Sequence, residues 1–481
     1  MICFAFSFSS IAEISLPRIF GSNMVLQRNA PIPVWGWALP GEPVTIRFIN
    51  QTARVVTPRS GKWKIELKPE KAGGPYLMKF YGANEITLDN VLVGDVWVCS
   101  GQSNMEWPMR LTNDAPKQIS ESQGFPMIRQ FKVQDMIADR PAADFPGGQW
   151  DVNDSTKSGN FTAVGYYFAR IIQEIEHIPI GLINASWGGT NIETWISKDA
   201  FESSPEYKGL FTKTFSEYKK TVPDSTSISP NEYPSLLFNA MINPILPYKI
   251  TGVLWYQGES NASRAFQYRT AFPLLINNWR AKWKQGDFPF YFVQLSSFIN
   301  KEDKINKVSS WAELREAQAT ALRLPNTGMA VSIDLGDPKD IHPRKKAEVG
   351  RRLAAIALNK VYEKRNTFSG PVYKSHVIEG CRVIISFTNV DSGLITKDKY
   401  DYLKGFEVAG QDQLFHLAKA QIQGNKVIVF NDSVASPVAV RYGWADDDSE
   451  ASLFNFRDFP AVPFRTDAWP GKTEGNKYRI R

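Results

Sequence analysis

Residues Val91 to Met105 run an apolar, β-branched stretch, Val-Leu-Val-Gly-Asp-Val-Trp-Val-Cys-Ser, straight into a tight polar turn, Gly-Gln-Ser-Asn-Met. A segment this apolar fits a strand buried on both faces of an α/β sheet. Such a strand ends at the carboxyl edge, where clefts form, and Gly101 lets the chain bend sharply enough to leave the Ser103 hydroxyl exposed. An ordinary Gly/Ser/Asn turn carries similar residues, so the rest of the chain has to separate a displayed nucleophile from a plain turn.

Texture along the chain divides it into three parts. From Ile14 to about Asn90, short alternating runs such as Val34-Trp35-Gly36-Trp37, Val44 to Phe48 and Trp63 to Leu67 are broken by Pro and Gly every ten residues or so. That spacing predicts a small β-sandwich over 14–90. Over 91–362, strands alternate with helices: helix at Ala163 to His177, strand at Ile178 to Ile183, strand at Ile250 to Tyr256, helix at Phe266 to Lys284, strand at Phe288 to Leu295, helix at Glu313 to Leu324, strand at Met329 to Leu335, helix at Arg344 to Val361. Such alternation predicts an α/β fold, a three-layer α/β/α core with a parallel sheet covered on both faces. Alternating runs return over 363–481, as in Arg382 to Phe387 and Lys426 to Phe430, and predict a second β module.

At 481 residues the chain exceeds one hydrophobic core. Its formal charge of +7 comes from basic residues scattered among 49 acids, which argues against a nucleic acid partner. The three cysteines, Cys3, Cys99 and Cys381, form neither a disulfide framework nor a metal-site spacing, and Cys99 reads as a small core residue. Residues 1–12 are apolar and small, so 1–13 resembles the hydrophobic part of a secretory signal without its basic leader, and a secreted or periplasmic location is the expectation. No stretch approaches eighteen uninterrupted apolar residues, so no membrane span is expected. Fourteen Trp residues suit a sugar-binding cleft.

In an open parallel sheet, groups that must meet lie on loops at the carboxyl ends of strands. The first strand leads to Ser103, the second to Asn184 through Asn191, the third to Gln257-Gly258-Glu259-Ser260-Asn261, and the last to Gly336-Asp337-Pro338-Lys339-Asp340-Ile341-His342-Pro343. A serine hydroxyl needs a neighbouring base at neutral pH, and imidazole has a suitable pKa. Of four histidines, His177 falls at a helix-to-strand junction and His376 and His416 fall in the last β module, which leaves His342 as the base. An acid that orients the imidazole completes the set; Asp340, two residues before His342, is preferred over Asp337, although either also reads as a turn or capping residue.

Acyl transfer further needs donors at the developing oxyanion, each worth roughly a hundredfold or more in rate. The Ser103 N–H, the Gly189 N–H in the Gly188-Gly189 pair, and the Gln257 side-chain amide are the candidates. Gln102, Asn104, Trp187, Gly188, Asn191, Glu259 and Arg264 are candidate substrate contacts, with Arg315 a further partner for an anionic group and Trp107, Trp187 and Trp195 candidate stacking rings. Glu259 has no accompanying His or Asp cluster of metal-site spacing, and no metal or organic cofactor is called for.

Together these blocks resemble the SGNH hydrolase superfamily and, within it, the sialate O-acetylesterase family. The resemblance rests on Gly101-Gln102-Ser103-Asn104-Met105-Glu106-Trp107-Pro108, Ser186-Trp187-Gly188-Gly189-Thr190, Trp255-Tyr256-Gln257-Gly258-Glu259-Ser260-Asn261 and Asp340-Ile341-His342-Pro343, and extends to Arg18 through Arg28 and Pro463 through Asp467. It implies an SGNH-type core and removal of acetyl groups from sialic acid, sialoglycans or related sugars through an acetyl-serine intermediate. Two positions depart from the superfamily pattern: Gln257 stands where an asparagine is usual, and Lys339 stands three residues before the histidine, where the acid usually sits. Acetylated xylan is the alternative substrate, and a carbohydrate-binding protein with a decayed hydrolase core is the alternative of another class. Gly101-x-Ser103-x-Met105 lacks the second glycine of a lipase-type elbow.

Overall fold

A computed structural model describes residues 13–222, 228–299 and 309–480. The signal-like segment therefore lies, but for its last residue, outside the described residues, as does Cys3.

The apolar run at 91–101 belongs to a 17-residue strand, Glu85–Gly101, the spine of an 11-stranded sheet. Its neighbours on the central path are, in order, Thr327–Ala330, Phe290–Val293, Gly252–Tyr256, the spine itself, Ile180–Ser186, Ile128–Lys132 and Trp150–Val152. All of these pair in parallel except the edge strand Trp150–Val152, which is antiparallel to Ile128–Lys132. The two strands at that edge escaped the sequence reading, because five and three residues are too short to show a period.

Helices cover both faces. On one side Trp97 meets Phe168 of helix Ala163–Glu176 edge to face, with ring centroids 4.9 Å apart, and Lys346–Lys360 packs beside that helix. On the other side Trp255 lies against Phe272 and Trp279 of helix Ala265–Trp283, and Ser310–Ala319 packs on that helix in turn. Cys99 is wholly buried and its thiol pKa is pushed up by burial, which makes it the core residue expected.

The strands of the first 90 residues form a two-stranded sheet, Ile32–Trp37 with Lys62–Leu67, and a second sheet that shares the spine with the core. Val25–Gln27 runs parallel to Leu92–Gly94 and Gly73–Tyr81 runs antiparallel to the first half of the spine, so the expected boundary at Asn90 falls inside a continuous strand. Beyond the final helix, two four-stranded antiparallel sheets and a two-stranded one form the C-terminal β region. Arg315 anchors it: fully buried, its guanidinium donates to the carbonyls of Leu295, Gly443, Ala445 and Asp446. Arg315 is thereby a strut between the layers, which corrects its reading as a substrate partner. Among the described residues, no helix is long and apolar enough to cross a membrane.

Candidate active site

Gly101 ends the spine with φ of +133°, and a Cβ there would stand 2.1 Å from the carbonyl oxygen of Tyr256. Only glycine allows both that conformation and that approach. The Gln102 N–H then donates to the same carbonyl at 3.0 Å, and a short helix, Ser103–Glu106, begins. Ser103 thus sits half-buried at the carboxyl edge of the sheet.

The histidine loop starts earlier than the sequence suggests. Its strand ends at Ala330 and not Leu335, because Asp334 is held by both terminal nitrogens of Arg352 at 2.7 Å and Ile333–Leu335 turns into a 3-10 helix. The long loop that follows carries His342 back over Ser103. Its Nε2 lies 2.8 Å from Ser103 Oγ. Burial lowers the imidazole pKa below its ordinary value, the nearby Lys346 ammonium lowers it further, and Asp340 opposes both. The ring is therefore neutral at neutral pH, the form in which one nitrogen can accept the serine proton.

Asp340 relates to the ring differently from the orienting acid expected. One carboxylate oxygen accepts the His342 main-chain N–H at 2.9 Å, while Nδ1 is 3.7 Å from that oxygen, beyond hydrogen-bond range. Asp337 accepts the Lys339 N–H at 2.9 Å and shapes the turn. The ring is instead braced by Trp107, which stacks on it at 4.9 Å with planes 17° apart. Trp107 was expected as a sugar platform; this face of it is occupied by the His342 ring.

Two of the three oxyanion candidates keep a free N–H. No acceptor engages the Ser103 or the Gly189 N–H among the described residues, and Gly189 adopts φ of +72° on an exposed turn whose carbonyl is held by Asn231 at 2.7 Å. Neighbouring Gly188 packs beside Ser103, where an added Cβ would lie 3.3 Å from that of Ser103, and its N–H is taken by Glu106 at 2.8 Å. Gln257 corrects the expectation. Its Nε2 donates to the Thr190 carbonyl and to Asn261 Oδ1, at 3.1 and 2.7 Å, and its Oε1 accepts from Tyr268. A primary amide has two N–H bonds, so none is left for substrate.

Several expected substrate contacts prove to be ties between loops. Gln102 is buried and its Oε1 faces the N–H groups of Gly258 and Ser260. Asn104 is buried and bridges Glu259 and the Ile341 carbonyl, at 2.6 and 3.0 Å. Asn191 is buried and held by Asn231, and Arg264 is paired with the buried Glu193 carboxylate at 3.2 Å. Trp195 is wholly buried and donates to Thr190. Trp187 remains half-buried beside Gly188.

The sequence reading did not single out Glu106 or Lys346. Glu106 holds the Gly188 N–H and receives Lys132 at 3.3 Å; Lys346, wholly buried, donates to Asn104. Glu106 stood inside the nucleophile block, whereas Lys346 gave no signal beyond a basic pair on a helix.

A serine hydroxyl against an imidazole whose protonated form is disfavoured, with the serine's own N–H free, is equipment for acyl transfer. Residues 93–359, more than half of the chain, match the family model described as carbohydrate esterase, sialic acid-specific acetylesterase. The sialate O-acetylesterase of Mus musculus is 32% identical over 92% of this chain and 92% of its own, and that of Rattus norvegicus is 34% identical over 73% and 74%. A solved structure of a carbohydrate acetylesterase from Xanthomonas citri matches with a TM-score of 0.86 and 39% identity, over 95% of this chain and all of that one. The chain belongs to the sialic acid-specific acetylesterase family of carbohydrate esterases. It is an esterase, and the reading as a decayed, non-catalytic sugar binder falls away.

Proposed function

We propose that the protein hydrolyses O-acetyl esters on sialic acid or a related sugar through an acetyl-serine intermediate, on an SGNH-type core. Ser103 Oγ attacks the ester carbonyl as His342 Nε2 takes its proton, and the Ser103 and Gly189 N–H groups receive the oxyanion. Collapse breaks the bond to the sugar oxygen, which leaves with the proton from His342. Water then attacks the acetyl-serine, His342 acting as base, and acetate departs.

The observation that carries this reading is the 2.8 Å contact between Ser103 Oγ and His342 Nε2. An anionic sugar is favoured over acetylated xylan by Arg344 and Lys345, exposed residues just past the base. Neither carries an ion pair among the described residues; the cavity of about 630 Å³ that both border is lined by neither Ser103 nor His342 and also carries Asp114, Asp334, Glu348 and Asp458, so what favours the pair is their place in the chain beside His342. They take the place of Arg264 and Arg315 as candidate partners of a sialate carboxylate. The test is Ser103→Ala assayed on acetylated sialic acid, acetylated xylan and a chromogenic acetyl ester, with mass spectrometry for an acetyl group on Ser103 in the unmodified enzyme. Retained hydrolysis in the variant refutes the nucleophile; faster acetate release from xylan refutes the substrate class.

A further inference from the structure

Lys346 is the first residue of helix Lys346–Lys360, wholly buried, and close to the reacting pair. A buried ammonium is costly, and the positive end of a helix is the wrong place for a cation, so the site needs compensation. Its partners supply that. Nζ donates to Asn104 Oδ1 and lies over the rings of Tyr256 and Trp107, at 5.2 and 5.9 Å from their centroids. With its oxygen held there, the Asn104 amide directs Nδ2 at Glu259 Oε1 and at the Ile341 carbonyl. Asn104 is the neighbour of Ser103, Ile341 is the neighbour of His342, and Trp107 is the ring stacked on the imidazole. One side chain thus bears on the nucleophile turn, the histidine loop and the ring that braces the base.

We propose that Lys346 is a positioning residue for this esterase: through Asn104 and Trp107 its buried amine sets Ser103 and His342 in register, and its charge tunes how readily His342 takes up a proton. This rests on the acetyl-serine reading above. The charged and titratable groups facing Lys346 are Glu259 from the loop after Gly252–Tyr256, and Asp340 and His342 from the loop before its own helix. Burial brings the amine down to about 7, with Glu259 and Asp340 opposing that shift. The cationic form disfavours imidazolium, so loss of the charge makes His342 easier to protonate.

The experiment compares Lys346→Met and Lys346→Arg with the unmodified enzyme, by pH profiles of kcat and kcat/KM on a chromogenic acetyl ester and by urea unfolding. In Lys346→Met, kcat per folded molecule should fall about a hundredfold, as for a misplacement of about 1 Å, with KM changed by less than about threefold. The acid limb of kcat/KM should move to higher pH, and Lys346→Arg should recover part of both. A kcat within about threefold of the unmodified enzyme, or an acid limb that stays in place, overturns the proposal. Should Lys346→Met not fold, Asn104→Ser decides on kcat alone, since it keeps the lysine in the chain but removes its acceptor and the bridge to Ile341: a fall of about tenfold or more supports the proposal, and a smaller one overturns it. Activity surviving in Ser103→Ala would sink the underlying mechanism; an inactive Ser103→Ala beside a fully active Lys346→Met sinks this inference only.

Discussion

Asp340 grips His342 by its backbone: the carboxylate accepts the histidine main-chain N–H at 2.9 Å, while the ring nitrogen it was expected to orient stands 3.7 Å off. The acid fixes where the loop places the imidazole and acts on the ring chiefly through charge.

Asp340→Asn should therefore be mild. The new amide oxygen can still accept the backbone N–H, so plateau kcat should fall far less than the roughly 10⁴-fold loss known where an acid hydrogen-bonds the imidazole directly. Because the carboxylate raises the proton affinity of His342, its neutralisation should move the acid limb of kcat/KM to lower pH. Rate profiles of the two proteins decide; a loss near 10⁴-fold would mean that the carboxylate bonds the ring during turnover.

In the unmodified enzyme the same limb should lie below 6.5, the ordinary histidine value. Burial and Lys346 both penalise imidazolium, so the neutral base persists as pH falls and activity is lost only beneath the lowered pKa. A limb at or above 6.5 would contradict that balance.

Gly101→Ala should destabilise the fold by about 3 kcal/mol or more, since the added methyl meets the Tyr256 carbonyl in a backbone region that side chains disfavour. Denaturant unfolding would measure this, and a wild-type midpoint would show that the turn relaxes freely.

Arg344→Gln and Lys345→Gln should each raise KM for acetylated sialic acid by up to about fivefold, the range of an exposed charge pair, and salt should shrink the difference. Neutral acetylated sugars should be unaffected. Equal changes for both substrate types would remove these residues from carboxylate recognition.

Much of the architecture was legible from local signals. The apolar run into Ser103, the helical spacing at Ala163–Glu176 and Ala265–Trp283, and the alternation at Arg382–Thr388 all reflect periodicity, which burial on one face or two imposes on the chain itself. Elimination among four histidines likewise pointed to His342, because a base must sit at the same sheet edge as its nucleophile. The strand that runs through Asn90 was not legible, because nothing in composition says whether a strand continues into the next sheet.

Residue identity and order were enough to nominate Ser103, His342 and the loops that bear them, since strand period and turn chemistry are properties of neighbours along the chain. What each polar side chain does was decided only in three dimensions. Gln257, Asn191 and Arg264 were suitable donors on paper, yet each was claimed by Thr190, Asn231 or Glu193, partners that the sequence does not tie to them. Lys346, a basic residue in a basic run, was drawn into the interior by Asn104 and two aromatic rings. A buried polar atom must be satisfied by whatever the packing brings near, and that neighbourhood exists only after the layers have closed.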